Sequence, residues 1–258
     1  MAHGGIDLPT GYRLVFHETI DSTNAEALRQ AGQGDPGGVW IWAGAQGAGR
    51  GRSGRGWTSP EGNLYASLLI RPRVPLVTAL QLSLLAGVAA YDAIGAVAAG
   101  SGLRPALRLK WPNDILLDGG KLGGILLESA ASPATDAAAI VIGTGLNLAE
   151  APGNLGRAVA SLAAAGIDAT PAQTFAALAW TTAEWIARWR DGQNFHEIRE
   201  AWLERAKPLG GPISVNLGGT RLTGSFLGID EAGALRLALA SGEEKRITAG
   251  DVAIGIEA

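Results

Sequence analysis

Apolar and polar residues alternate through Tyr12, Leu14 and Phe16, the period-two pattern of a half-buried strand. The following Asp21-Ser22-Thr23-Asn24-Ala25-Glu26 reads as a helix start, with Thr23 and Glu26 spaced as a capping box and Gly32 placed to stop the helix. A short apolar strand over residues 39–43 enters a glycine- and arginine-rich stretch, 44–60, whose composition forbids regular structure over most of its length. Residues 64–71 read as a strand, and the apolar region 76–100 as a long buried helix. Gln81, Ser83, Tyr91 and Asp92 interrupt that region, so it is favoured as a core helix over a membrane span, which needs about 20 uninterrupted apolar residues.

Strands are predicted at 107–111 and 115–117 about Pro112. A tight turn, Asp118-Gly119-Gly120-Lys121, then leads into a strand over 122–128, the Gly-Gly pair tolerating the positive φ of a primed hairpin turn and leaving Lys121 at the turn. A strand over 138–142 passes into a loop, Gly143-Thr144-Gly145-Leu146-Asn147. One helix opens at Thr170-Pro171, with Pro at the first helical position, and stops near Gly192; another opens at Asn194 with Glu197 three residues on. Trp180, Trp185, Trp189 and Trp202 fall on these helices and read as core or interdomain packing. From Pro208 the alternation shortens to segments at 213–217, 221–229, 234–239, 245–248 and 252–254, separated mostly by glycines, which predicts a small β-barrel. The expected organisation is α+β: a domain over residues 1–207 that mixes hairpins with helices, then a barrel domain over 208–258.

Composition narrows the chemistry. With 258 residues, 47% hydrophobic and 17% charged, the chain is a globular protein that buries a sizeable core without metal or disulfide. Cysteine is absent, which excludes disulfides, thiolate metal sites, cysteine nucleophiles and thioester intermediates. The net charge of −3, from 21 Lys+Arg against 24 Asp+Glu, argues against wholesale coating of a nucleic acid, so any basic site is local. The N-terminal residues lack the basic run and apolar stretch of a signal peptide, leaving the cytoplasm as the expected location and no membrane as a partner. His3, His17 and His196 have no metal-ligand spacing, so no protein metal site is expected, and no G-x-S-x-G elbow occurs.

The most unusual segment is Gly49-Arg50-Gly51-Arg52-Ser53-Gly54-Arg55-Gly56-Trp57, with three arginines and no acid. Gly49, Gly51 and Gly54 satisfy G-x-G-x-x-G formally, but Gly56, Pro60 and Gly62 block the helix that a dinucleotide fingerprint must open. A loop of backbone N–H groups and guanidinium groups suits a phosphate or carboxylate that arrives and leaves; a solvated surface loop is the alternative. Lys110-Trp111-Pro112-Asn113-Asp114 and the hairpin carrying Lys121-Leu122-Gly123-Gly124-Ile125 form a second constellation. At the end of the Gly143–Asn147 segment, the Asn147 amide offers a donor and an acceptor together, which suits a heterocycle edge as well as it suits a turn cap.

Together these segments, with Gly228-Ile229-Asp230, resemble the biotin protein ligase family over nearly the whole chain and in the family order. The resemblance implies a mixed-sheet ligase domain with flanking helices, followed by a small Src-homology-like barrel. It also implies a two-step reaction: biotin and MgATP form biotinyl-AMP and pyrophosphate, and a lysine of a biotin carboxyl carrier protein then attacks the acyl-adenylate. By the same resemblance the biotin site comprises Ser22, Thr23, Asn24, Gln46, Gly49, Arg50, Gly51, Arg52, Lys121 and Gly124, with Ser22, Thr23 and Gln46 on the ureido ring. Arg52, Arg55, Trp57, Asn113, Lys121, Gly143 and Asn147 would hold ATP and the adenylate, with Asn113 and Asn147 on adenine. Lys121, Arg52 and Arg55 would neutralise anionic charge as catalytic groups, and Asp114 would orient the metal or the attacking lysine. Some relatives carry an N-terminal DNA-binding domain and repress transcription; with 20 residues ahead of Asp21, this chain is expected to be a monofunctional ligase, monomer or homodimer, without a nucleic-acid partner. Its last segment, Gly250-Asp251-Val252-Ala253-Ile254-Gly255, has no basic residue where relatives can place one, which argues against an ATP contact from the barrel. A lipoate ligase of the same fold and a non-catalytic biotin sensor are the competing readings.

Overall fold

The computed structural model describes residues 5–130, 138–153, 156, 158–206 and 209–254. The elements run β1 (Arg13–Ile20), α1 (Thr23–Gly32), β2 (Val39–Gln46), β3 (Leu64–Ile70), α2 (Leu76–Ala79), α3 (Gln81–Ala99), β4 (Leu107–Lys110), β5 (Asp114–Leu117), β6 (Gly120–Ala130) and β7 (Ala139–Leu146). Then follow α4 (Pro171–Trp189), α5 (Phe195–Arg205), β8 (Pro212–Leu217), β9 (Thr220–Ile229), β10 (Leu235–Leu239), β11 (Glu244–Ile247) and β12 (Asp251–Ile254). β1 to β7 form one mixed sheet in the order β1-β2-β3-β7-β6-β5-β4, with β1 and β2 parallel and the remaining pairs antiparallel.

The central strands are apolar on both faces because both faces are covered. Along β2, Trp40 and Trp42 join the large core beneath α3, α4 and α5, while Val39 and Ile41 point to the opposite face and pack with Ala27 and Ala31 of α1. β7 divides in the same way, Ile140 and Ile142 against Val141. Leu76–Ala99 is long and apolar enough to cross a membrane, but 61% of its apolar window is buried inside the protein. Its run of Ala86, Ala89, Ala90 and Ala93 is fully or nearly fully covered, as expected of a core helix.

The last five strands form an antiparallel sheet in the order β11-β10-β9-β8-β12. Among the described residues β11 and β12 are not paired with each other, so the barrel is open along that side. Phe226 of this sheet stacks edge-on against Trp202 of α5, ring centroids 6.4 Å apart, and the sheet's buried residues belong to the same apolar core as α3, α4 and α5.

Several local expectations need correction. α1 is capped by Ser22, whose Oγ accepts the Ala25 N–H at 3.4 Å, and not by a Thr23–Glu26 box; Thr23 is the first helical residue, and Glu26 is engaged by Arg29 and Gln30. The hairpin turn places positive φ at Asp118 and Gly119, so Gly120 and Lys121 are already strand. β7 continues through Gly143 and Gly145 to Leu146 instead of ending at 142. Trp185, Trp189 and Trp202 are buried, but Trp180 is 43% exposed and donates through Nε1 to the Asp7 carbonyl at 3.2 Å. His3, Pro208, Gly255 and the 207–208 boundary lie outside the described residues.

Candidate functional site

One end of the site is built where α1 meets the sheet. The Thr23 backbone N–H donates to Gln46 Oε1 at 2.8 Å, and the Thr23 hydroxyl lies 3.1 Å from the same oxygen. Gln46 Nε2 donates to Ser59 Oγ at 2.9 Å. Ser67, fully buried on β3, sits 2.7 Å from Thr23 Oγ1 and 2.6 Å from Asn24 Oδ1. Asn24 Nδ2 donates to the Glu128 carboxylate at 2.8 Å, which also takes Arg50 at 3.1 Å. Apart from the Arg50–Glu128 ion pair, these are neutral amides and hydroxyls held in a fixed network, the chemistry that reads a neutral polar group with both donors and acceptors. The helix packs this tightly because β7 carries Gly143: a Cβ there would collide with the Asn24 carboxamide.

The other end is cationic. Asp114, at the start of β5, accepts from Lys121 of β6 through Oδ1 and forms an ion pair with Lys110 of β4 through Oδ2 at 2.8 Å. The side chains of Asp114 and Lys121 are 11% and 13% exposed, so this is a largely desolvated cluster of two cations and one anion. Burial pushes the Asp114 carboxyl up, but Lys121 and Lys110 together hold it below the usual carboxylate range. Lys121 Nζ lies 5.4 Å from the Trp57 ring centroid, a cation–π contact. That ring lies over Gly145, where a Cβ would come within 2.8 Å of Cε2, and its Nε1 is a buried donor without a hydrogen-bond partner.

The arginine loop leaves β2, folds back through a bridge between Arg50 and Gly56 and a short 3-10 turn, Arg52–Gly54, and stands over the cavity. Arg52 Nη1 donates to Asn113 Oδ1 at 3.3 Å, and Arg55 Nη2 to Asp251 of β12 at 2.8 Å. Asn113 Nδ2 is tied to the Ile125 carbonyl at 2.6 Å.

Between the two ends lies a cavity of about 380 Å³. It gathers Ser22, Thr23, Asn24, Gln46, Arg50 and Gly51 with Arg52, Arg55 and Trp57. Asn113, Asp114, Lys121, Gly124 and Gly143 come from the other strands. Two expected residues do not line it. Gly49 serves the loop's own packing, since a Cβ would come within 2.7 Å of Ser59 Oγ. Asn147 is buried, its Nδ2 donating to the Ala160 carbonyl at 3.1 Å and its Oδ1 unpartnered, so it stitches β7 to the following segment behind the wall.

Lys110, Trp111 and Pro112 line the cavity as well and belong to a motif already conspicuous in the sequence. Tyr65, whose hydroxyl donates to the Pro60 carbonyl at 2.8 Å, and Asp251 to Ile254 were not foreseen. Burial pushes Tyr65 up to about 12, so it is a neutral phenol and not a base. Among the described residues, no three His, Asp or Glu side chains gather as a metal site.

Residues 16–147 match the model of the Biotin/lipoate A/B protein ligase family, and residues 209–255 that of the Biotin protein ligase C terminal domain. A biotin--[acetyl-CoA-carboxylase] ligase of Paracoccus denitrificans is 44% identical over 224 residues, 84% of this chain and 90% of that protein. The bifunctional ligase/repressor BirA of Bacillus subtilis is 34% identical over 259 residues, 95% of this chain and 75% of that protein. A solved biotin protein ligase from Aquifex aeolicus, in complex with biotin and ATP, superimposes with a TM-score of 0.78 at 25% identity, over 94% of this chain and 99% of that one.

Proposed function

The chain belongs to the Biotin/lipoate A/B protein ligase family, and from that premise we infer its reaction and the work of each group in the cavity. It is an ATP-dependent biotin--[acetyl-CoA-carboxylase] ligase. A biotin carboxylate oxygen attacks the α-phosphorus of ATP, the bond to the β-phosphate oxygen breaks, and pyrophosphate leaves. The amine of a lysine on a biotin carboxyl carrier protein then attacks the acyl carbon, AMP leaves with the electron pair of the acyl–oxygen bond, and the amine loses a proton.

The observation that carries the site assignment is the cavity's polarity: neutral amides and hydroxyls at one end, and Lys121, Lys110, Arg52 and Arg55 at the other. In this reading the ureido ring lies against Ser22, Thr23, Asn24 and Gln46, and Arg50, Gly51 and Gly124 flank the bound acid. The carboxylate and α-phosphate meet beside Lys121 and Arg52, where fixed cations offset the repulsion between two anions and the charge that develops in transit. Trp57, Gly143 and Asn113 belong to the adenylate end, and Arg55 to the phosphates. Asn147 acts on the nucleotide only through the strand it stitches.

The cavity's carboxylates do not fit a resident Mg2+. Both Asp114 oxygens are engaged by Lys121 and Lys110, and Asp251 faces arginines. Mg2+ would then be held by the phosphates of ATP as part of the substrate, and Asp114 orients Lys121 and the attacking lysine, not a metal. The domain division at 207–208, a cytoplasmic place of work and a monomeric or homodimeric resting form belong to the same proposal. It is supported by the second sheet's confinement to β8–β12 and by ATP as the co-substrate.

The test is pyrophosphate release with MgATP and either biotin or lipoate, without acceptor, using hydroxylamine to turn the adenylate over. Release with biotin alone is expected. Release with lipoate alone assigns the chain to lipoate activation, and binding of biotin without release reduces it to a sensor.

A further inference from the structure

Three consecutive residues at the start of the barrel's last strand reach the three cations that roof the cavity. Arg52 Nη2 donates to the Gly250 carbonyl at 3.2 Å, Arg55 Nη2 to Asp251 Oδ1 at 2.8 Å, and Lys110 Nζ to the Val252 carbonyl at 3.1 Å. Arg52 Nη1 lies 3.8 Å from the same Asp251 oxygen. Two of these contacts use neutral carbonyls that any residue supplies; only Asp251 brings a charge, and it does so where the sequence offers no basic residue.

An arginine N–H aimed at Asp251 is not aimed at a phosphate. The Arg55 and Asp251 side chains are 52% and 49% exposed, so their ion pair is weak and open to exchange. Arg52, at 26% exposed, keeps Asn113 as a second partner and holds its place when Asp251 lets go. We propose that Asp251 is a built-in counter-anion of the arginine loop: it holds Arg55, and through charge Arg52, over the cavity before nucleotide arrives, and it yields them to the phosphates of ATP. Binding ATP thus exchanges one anion for another, and the chain's ATP affinity is set lower than the same arginines would give unopposed. The ureido ring of biotin, read among Ser22, Thr23, Asn24 and Gln46, has no part in this pair, and of the two arginines the biotin carboxylate meets only Arg52, the one that Asp251 holds less closely. The inference rests on the assignment of Arg55 to the phosphates.

Calorimetric titration of MgATP into the full chain without biotin tests it, with biotin titrated separately as a control for the fold. Asp251→Asn and Asp251→Ala are each expected to bind ATP about 2- to 5-fold more tightly, the range of an exposed ion pair, with biotin affinity changed less than ATP affinity. Arg55→Ala is expected to weaken ATP binding, and adding Asp251→Asn to it to give a smaller gain than in the parent, the remainder acting through Arg52. Unchanged or weaker ATP binding in both Asp251 variants, with the Arg55→Ala loss intact, overturns the counter-anion role while leaving the site assignment standing. An equal gain in the Arg55→Ala background also overturns it, because the effect is then general charge and not this pair. Arg55→Ala with undiminished ATP affinity removes the site assignment, and the proposal with it.

Discussion

Two ammonium groups on one carboxylate leave the Lys110–Asp114–Lys121 cluster with a net positive charge, so Asp114 orients Lys121 without cancelling its field toward a phosphate. Removing that field at a largely desolvated position resembles the loss of one oxyanion-hole donor, and Lys121→Ala is expected to lower biotin-dependent pyrophosphate release about 100-fold or more while the far-UV dichroism stays native. Near-normal turnover in that variant removes Lys121 from the chemistry. Asp114 makes a separate prediction. Its folded-state pKa is depressed, so its ionisation stabilises the fold above the ordinary aspartate range, and that contribution is lost as pH falls through the lower folded value. Asp114→Asn is therefore expected to lose less stability than the parent as pH falls below about 4, measured by urea unfolding at each pH. At this scale Lys121, Arg52 and Asn113 were legible because their motifs are compact in sequence. Asn147 was less legible, because an amide at a strand end reads equally as a ligand donor or a stitch, and here its Nδ2 is taken by the Ala160 and Lys121 carbonyls.

β7 shows why element boundaries near the site misled. Glycine breaks strand propensity in a sequence, yet Gly143 and Gly145 sit inside a continuous strand because Asn24 and Trp57 need the space where side chains would be. Gly145→Ala puts a methyl within 2.8 Å of the Trp57 indole and must displace that ring or bend the strand. A strain of this kind costs about 1–3 kcal/mol, so affinity for the adenylate is expected to fall about fivefold or more, read by titration with a non-hydrolysable biotinyl-AMP analogue. The hairpin turn was legible one residue out of register, since Asp tolerates the left-handed region better than most residues with a side chain and the Asp118-Gly119 pair took the turn. The arginine loop was legible as a loop, and its composition carries a dynamic consequence. Its contacts to Glu128, Asn113 and Asp251 are exposed or partly exposed, so it opens at low cost until a ligand fills the site. Trypsin cleavage at Arg50, Arg52 or Arg55 is expected to slow when biotin and ATP are both present, and equal cleavage with and without them counts against closure over the adenylate.

The barrel was legible as five short alternating strands, but its union with the larger sheet was not, because the contacts that join them are far apart in sequence and carry no local pattern. Buried residues of β8 to β11 belong to the same apolar core as α3, α4 and α5, with Phe226 seated on Trp202. The polar half of that union is Trp111, 3% exposed and within the cavity wall, whose Nε1 donates to the Gly233 carbonyl at 3.0 Å; Arg199 of α5 likewise reaches the Ile229 carbonyl at 2.9 Å. A shared core makes the two parts unfold together, so urea denaturation followed by tryptophan fluorescence and by far-UV dichroism is expected to give one coincident transition. Trp111→Phe keeps most of the buried ring area but removes the donor and leaves the Gly233 carbonyl without it, a loss of about 1–3 kcal/mol. The transition midpoint of that variant is expected to fall without the curve dividing in two, because the apolar contacts at Trp202 and Phe226 still couple the sheets. A biphasic curve in the parent chain would mean instead that the interdomain core is too weak to bind the barrel to the ligase fold. The barrel's last strand would then reach the arginine loop as a separately folding body.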